Sequence, residues 1–162
     1  AIQRALSEFS GSIVDGGMTR PTNVVFTDPS KVNSPEIYFG ASRNEYFANG
    51  RSGVSGEQSL SLPNTIKPNY LYLSGTWDFF SEYIKSKTPS RIVFKYNAKT
   101  VYMVASSDLG INITVFKDGK KEKTVFVKAN QLYTLIDGDT YGEHLLEIET
   151  PSGLNAFTFT FG

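Results

Sequence analysis

The sequence predicts an all-β fold: an antiparallel, jelly-roll-like β-sandwich preceded by a short N-terminal helix. Three observations predict it. The 162 residues include 12 Phe, 9 Tyr and one Trp, an aromatic share of 14%, gathered in short runs with β-branched neighbours as in strands. Fourteen Gly and seven Pro punctuate those runs, giving turn signals at strand-like spacing. Apolar and polar residues alternate along several runs, the period of a half-buried strand, whereas helical spacing occurs in one segment only.

That segment is AIQRALSEF at 1–9. Ile2, Ala5, Leu6 and Phe9 fall at i, i+3, i+4 and i+7, a single apolar stripe, and Gly11 is its stop signal. The pattern starts with no capping residue, so 1–10 reads as the tail of a preceding helix. Gly11, Gly16, Gly17, Pro21 and Pro29 make 11–34 a linker or irregular wrap with a short strand at Val24–Phe26. The β-domain spans 35–162. EIYFG is its first strand, and Arg43, Tyr46 and Phe47 follow in a structured loop. Residues 51–69 form a long loop with a short strand at Gln58–Leu62.

Strands follow closely from Tyr70. In YLYLSGTWDF, Leu71, Leu73, Trp77 and Phe79 share one face, while Tyr70, Tyr72, Ser74, Thr76 and Asp78 share the other. SEYIKSK, RIVFKYNA and KTVYMVAS come next. INITVFKDGKKEKTVFV is a hairpin turning at Asp118-Gly119. QLYTLI and EHLLEIE are separated by a polar turn at Asp137-Gly138-Asp139. NAFTFTF closes the set, with Phe157, Phe159 and Phe161 alternating against Thr158 and Thr160. Trp77, Ile148 and Phe159 are expected to be buried.

Composition excludes several chemistries. Sixteen Lys plus Arg balance 16 Asp plus Glu, and the pI is near 6.8, so nothing in the charge points to nucleic acid. There is no Cys, which removes thiol chemistry, disulfides and thiolate metal sites from this chain. With one His a multi-histidine zinc site is not expected, and neither a metal nor a cofactor is predicted. No apolar run approaches the roughly 20 residues that cross a bilayer as a helix. His144 as a triad base lacks a GxSxG nucleophile elbow. Glu36, Glu45, Asp78, Glu82, Glu143 and Glu147 are the acids available to a two-carboxylate hydrolase, a remote alternative, since 16 acids guarantee some neighbours by chance. Lys117, Lys120, Lys121, Lys123 and Lys128 bracket the hairpin as a solvated edge.

The aromatic residues give the better lead. A sugar lays its apolar face on an exposed ring while flanking polar groups take its hydroxyls. Tyr70, Tyr72, Thr76, Asp78, Lys95 and Tyr102 fall on outward faces of strands expected to be neighbours. These six are the ligand-binding candidates, with a covered sheet face as the alternative. No residue is predicted to be catalytic.

Several longer motifs carry a resemblance. PEIYFGASRNEYFANG at 35–50, LSGTW followed by EY at 73–83, LYTLID at 132–137, YGEHLLEIE at 141–149 and NAFTFTFG at 155–162 resemble the C-terminal domain of DipZ-type thioredoxin-like proteins, associated with cytochrome c biogenesis. The resemblance implies a bacterial parent protein with an extracytoplasmic thioredoxin-like domain upstream, in many members tethered through a membrane-embedded domain. It implies that this chain is a jelly-roll module similar to carbohydrate-binding modules. The expected partners are the upstream domain and a glycan or protein ligand; the expected location is periplasmic or cell-surface. The matching positions are Tyr38, Gly40, Arg43, Phe47, Gly75, Trp77, Tyr141, Gly142, Glu143 and His144, read as architectural. Three functions follow in order: a non-catalytic binding module, a structural spacer against the thioredoxin-like domain, and the carboxylate hydrolase.

Overall fold

A computed structural model describes residues 32–162; the helix expected at 1–10 and the strand at Val24–Phe26 lie outside the described residues. Nine strands build the domain: β1 (Ile37–Tyr38), β2 (Gly56–Leu60), β3 (Leu71–Phe79), β4 (Ile84–Ser86), β5 (Ser90–Ser106), β6 (Ile111–Lys117), β7 (Lys120–Val127), β8 (Gln131–Thr150) and β9 (Asn155–Phe161). Every strand-to-strand pairing is antiparallel, and no helix occurs among the described residues. The all-β antiparallel prediction holds.

The strands form one hydrogen-bonded network in the order β1-β9-β4-β3-β5-β8-β6-β7, with β2 also on β3 and β9 also on β5. β9 thus meets both β4 and β5, and β3, β4, β9 and β5 close a circuit around the core. Two long strands make this possible. β5 runs 17 residues. Its first half pairs with β3 and with 142–150 of β8; its second half pairs with β9 and with 131–137 of β8. A register shift between Ala98 and Thr100 marks the crossing. β8 runs 20 residues through Asp137-Gly138-Asp139, so the turn expected there is corrected to an irregularity within one strand. Gly138 permits it, since a Cβ there would stand 2.7 Å from the Lys99 carbonyl oxygen.

Alternation along β3 produces the core as expected. Leu71, Leu73, Trp77 and Phe79 are buried, packed with Phe39, Phe94, Ile148 and Phe159. Each such side chain contributes about 1.5–3 kcal/mol by leaving water. Trp77 keeps its indole N–H satisfied by donating to the Ser74 carbonyl at 3.0 Å. Asp118 (φ 53°) and Gly119 (φ 84°) form the two-residue hairpin turn between β6 and β7, the left-handed pair that matches strand twist.

Phe157 departs from the expected pattern. β9 bulges between the Thr158–Val104 and Ala156–Ala105 pairs, and Phe157 turns outward. Its ring lies 5.0 Å from Tyr83, which in turn stacks 4.8 Å from the exposed Phe80.

Candidate functional site

Two open hollows lie on the outer surface of the sheet. The first, about 580 Å³, runs between the 48–49 loop and the 63–72 segment beside Tyr70 and Tyr72. Tyr70 is 43% exposed and meets Tyr46 edge-on at 6.3 Å. Asn49 acts as a strand neighbour to β3: its Oδ1 accepts from the Leu73 N–H at 3.0 Å, and its Nδ2 donates to the Leu73 and Ser61 carbonyls at 2.7 and 2.9 Å. Its hydrogen-bonding capacity goes to holding the loop. Lys67 and Thr65 complete the wall.

The six residues predicted to form one surface are divided among three places. Tyr70, Tyr72 and Lys95 stand at one end, where the Asn69 N–H donates to the Lys95 carbonyl at 2.9 Å. Tyr72 is 5% exposed, which corrects its expected open position. The proline-bounded 63–68 segment folds over it, and its hydroxyl accepts the Lys67 N–H at 3.1 Å. Thr76 faces β2, 2.8 Å from the Ser59 hydroxyl. Asp78 lies opposite Glu57 and Lys85, roughly 27 Å from Tyr70 at strand rise. Tyr102 is half-buried, lies beyond the register break opposite Thr134 and Thr160, and is roughly 23 Å from Lys95 along β5.

The second hollow, about 470 Å³, opens over Arg91 and Glu149. Sequence reasoning did not single it out. Arg91, Glu149, Thr114 and Ser74 each occupy outward positions of alternating runs, which was legible. That they form a single row across four strands required the register.

The motif positions divide into packing and surface roles. Gly40 packs flat on the β3–β4 turn; a Cβ there would lie 2.3 Å from the Ser81 oxygen and the Glu82 carbonyl carbon. Phe47 is buried against Phe79, ring centroids 5.2 Å apart. Arg43 sets its guanidinium 3.8 Å from the centroid of the Tyr38 ring. The Tyr38 hydroxyl donates to Glu36 at 3.1 Å, and Glu36 also accepts from Thr160. In the YGEH motif, Tyr141 lies under the Lys99 ammonium, 5.6 Å from its ring centroid, and Glu143 is exposed.

His144 Nδ1 lies 2.7 Å from Asp118 Oδ2, while Asp118 Oδ1 accepts the Leu145 N–H at 2.8 Å. Partial burial works against the Asp118 charge, but the Leu145 N–H, the His144 ring and the Lys117 ammonium together hold its carboxyl below the usual range. Behind His144, the Tyr96 hydroxyl is buried without a partner among the described residues. Burial, then the negative charges of Asp118 and Glu122, push its pKa far above the ordinary phenol value. These contacts pin the β6–β7 hairpin onto β8. No group of three or more His, Asp or Glu suited to a metal gathers among the described residues.

Fold and surface define a small cysteine-free antiparallel β domain with two shallow, open hollows. The chain belongs to the thioredoxin like C-terminal domain family, which matches residues 34–162, in agreement with the resemblance in its motifs. It is 25% identical over 148 residues to Protein DipZ of Mycobacterium bovis and, equally, of Mycobacterium tuberculosis, covering 90% of this chain and 21% of each relative. The chain therefore spans about a fifth of the length of these curated relatives. Among solved structures, a family two carbohydrate esterase from Clostridium thermocellum in complex with cellohexaose shares the fold with a TM-score of 0.53, at 17% identity over 57% of this chain and 31% of that one.

Proposed function

We propose that this domain is a non-catalytic accessory module of an extracytoplasmic thioredoxin-like thiol-disulfide oxidoreductase, and that it holds a glycan or protein ligand near the redox domain preceding it. One observation carries the reading: a chain without cysteine belongs, over 34–162, to a thioredoxin-like C-terminal family. Disulfide exchange begins with thiolate attack on sulfur, so redox chemistry in the parent protein falls to another segment. Among the described residues no helix is long and apolar enough to cross a membrane, and membrane attachment is assigned in this reading to the preceding part of the parent. The exposed Tyr70 ring, with Lys67 beside it, is the ligand surface this reading uses. The covered Tyr72 favours a second reading, in which this end of β3 is a packing surface of a spacer.

The test has two arms. The 162-residue chain is expected to leave insulin disulfides intact, while a longer natural chain carrying the preceding region reduces them; turnover by the cysteine-free chain overturns the redox assignment. For the ligand arm, an NMR titration with cellohexaose, the ligand of the Clostridium esterase, is expected to move Tyr70 and Lys67 amides with a dissociation constant of about millimolar order, near −4 kcal/mol. No shift at about ten times that concentration leaves the spacer reading.

A further inference from the structure

We propose that the outer sheet face over Arg91 and Glu149 binds a saccharide carrying a free amino group. This rests on the reading of the domain as a ligand-holding module, but it uses a surface separate from the Tyr70 hollow.

Strand register builds the site. Residues directly opposite in an antiparallel pair share a face. Ser74 lies opposite Arg91, Arg91 opposite Glu149, and Glu149 opposite Thr114. The hollow above this row holds about 470 Å³, within the roughly 300–1,000 Å³ of small-molecule sites. Asn112 lines it one step further along β6. Opposite Asn112 on β7 is Phe126, a ring 57% exposed at the margin of the same face.

Charge then selects the ligand. Arg91 contacts Glu147, whose side chain is 19% exposed, and lies 3.6 Å from Glu149, whose side chain is 48% exposed. One guanidinium thus faces two carboxylates, leaving an excess negative charge on the open member, Glu149. Lys121 lies on β7 opposite Phe116 and is exposed to solvent. A ligand ammonium at Glu149 gains a charge-assisted hydrogen bond. An anionic sugar is repelled there, and a neutral one forgoes the pair. The side chains of Ser74, Asn112 and Thr114 offer donors and acceptors suited to sugar hydroxyls, and Phe126 offers an apolar ring face. A lysine-bearing peptide would satisfy Glu149 but leave those hydroxyl partners unused.

The test titrates the isotope-labelled 162-residue chain with three probes at mildly acidic pH: the β-1,4 trimer of glucosamine, its fully N-acetylated counterpart, and cellotriose. Glucosamine trimer is expected to shift amides of Arg91, Asn112, Thr114, Phe126 and Glu149, with the other two probes about tenfold weaker. Glu149→Gln is expected to remove that preference. Phe126→Ala, at an exposed position, is expected to weaken all three probes, each about threefold to tenfold. Equal binding of the three trimers overturns the amino-group assignment while leaving saccharide binding standing. Shifts confined to Tyr70 and Lys67 overturn the site but keep the broader reading. Absence of shifts with every probe overturns the proposal.

Discussion

Alanine at position 75 places a side chain where β3 meets the start of β5. Gly75 has φ +91°, and a Cβ there would lie 2.2 Å from Ser90 Oγ, 2.8 Å from Ser90 Cβ and 3.0 Å from the Pro89 oxygen. The left-handed conformation alone costs an L-residue about 1–2 kcal/mol. Relieving the overlap is hard because Ser90 is not free to turn: its hydroxyl donates to the Thr88 carbonyl at 2.7 Å, and Thr88 Oγ1 accepts the Thr76 N–H at 3.0 Å. Overpacking of this kind costs about 1–3 kcal/mol. Gly75→Ala should therefore lose about 2–5 kcal/mol, a large share of the ~5–15 kcal/mol typical of a domain. Two further glycines separate the contributions. Gly119→Ala meets φ +84° but nothing within 4 Å, so it should lose only the strain, about 1–2 kcal/mol. Gly142→Ala meets no left-handed φ, and His144 Nε2 at 3.6 Å is an ordinary contact; it should stay within about 0.5 kcal/mol of the parent. Urea denaturation followed by the fluorescence of Trp77, the one tryptophan, measures all three. If Gly75→Ala loses no more than Gly119→Ala, the steric reasoning is wrong.

Asp118→Asn tests the hairpin pin through its pH dependence. The carboxyl is held below its ordinary value in the folded state, so the folded protein favours the ionised form. That stabilisation is full above the unfolded-state pKa and disappears as pH falls through the lower folded-state value. The parent's advantage over Asp118→Asn should be present at about pH 5 and shrink as the pH falls below about 4; an advantage that persists undiminished at about pH 2 refutes the assignment. It should also be modest, because the Asp118 side chain is 51% exposed. Tyr72→Phe removes the acceptor for the Lys67 N–H and should cost about 0.5–1.5 kcal/mol, with faster hydrogen exchange at the Lys67 amide. Unchanged exchange there would show that the hydroxyl does not hold the loop.

Where local pattern and tertiary demand coincide, the fold was readable. Period-two alternation in β3 put Leu71, Leu73, Trp77 and Phe79 inside. Asp118-Gly119 named its turn because two successive left-handed residues fit few other local structures. The long strands were harder. RIVFKYNA and KTVYMVAS looked like two strands because Asn97, Ala98 and Lys99 are poor strand formers. In the fold they are one strand that shifts register at that point and serves two sets of neighbours. The same holds for β8, where Asp137-Gly138-Asp139 carries turn composition but lies in a strand flanked by pairing on both sides. Phe157 fails the alternation for a related reason: a bulge reverses facing, and nothing local to AFTF announces it.

Site prediction met a different obstacle. Alternation states which way a side chain points; it does not state what stands over it or beside it. Tyr72 points outward along β3 as predicted, yet the chain just before it supplies its cover and takes its hydroxyl. Thr76, Lys95 and Tyr102 also point outward, but β3 and β5 share register only from Leu71–Phe94 to Ser74–Arg91. That short overlap cannot bring Tyr102, on the far half of β5, to Tyr70. The same overlap aligns Ser74 with Arg91, and the β5–β8 and β8–β6 registers extend the line to Glu149 and Thr114. No single run contains that row, and each of its members reads locally as an ordinary exposed residue. A binding face on a sheet crosses the strands while the sequence runs along them, so register carries the information that composition and periodicity lack.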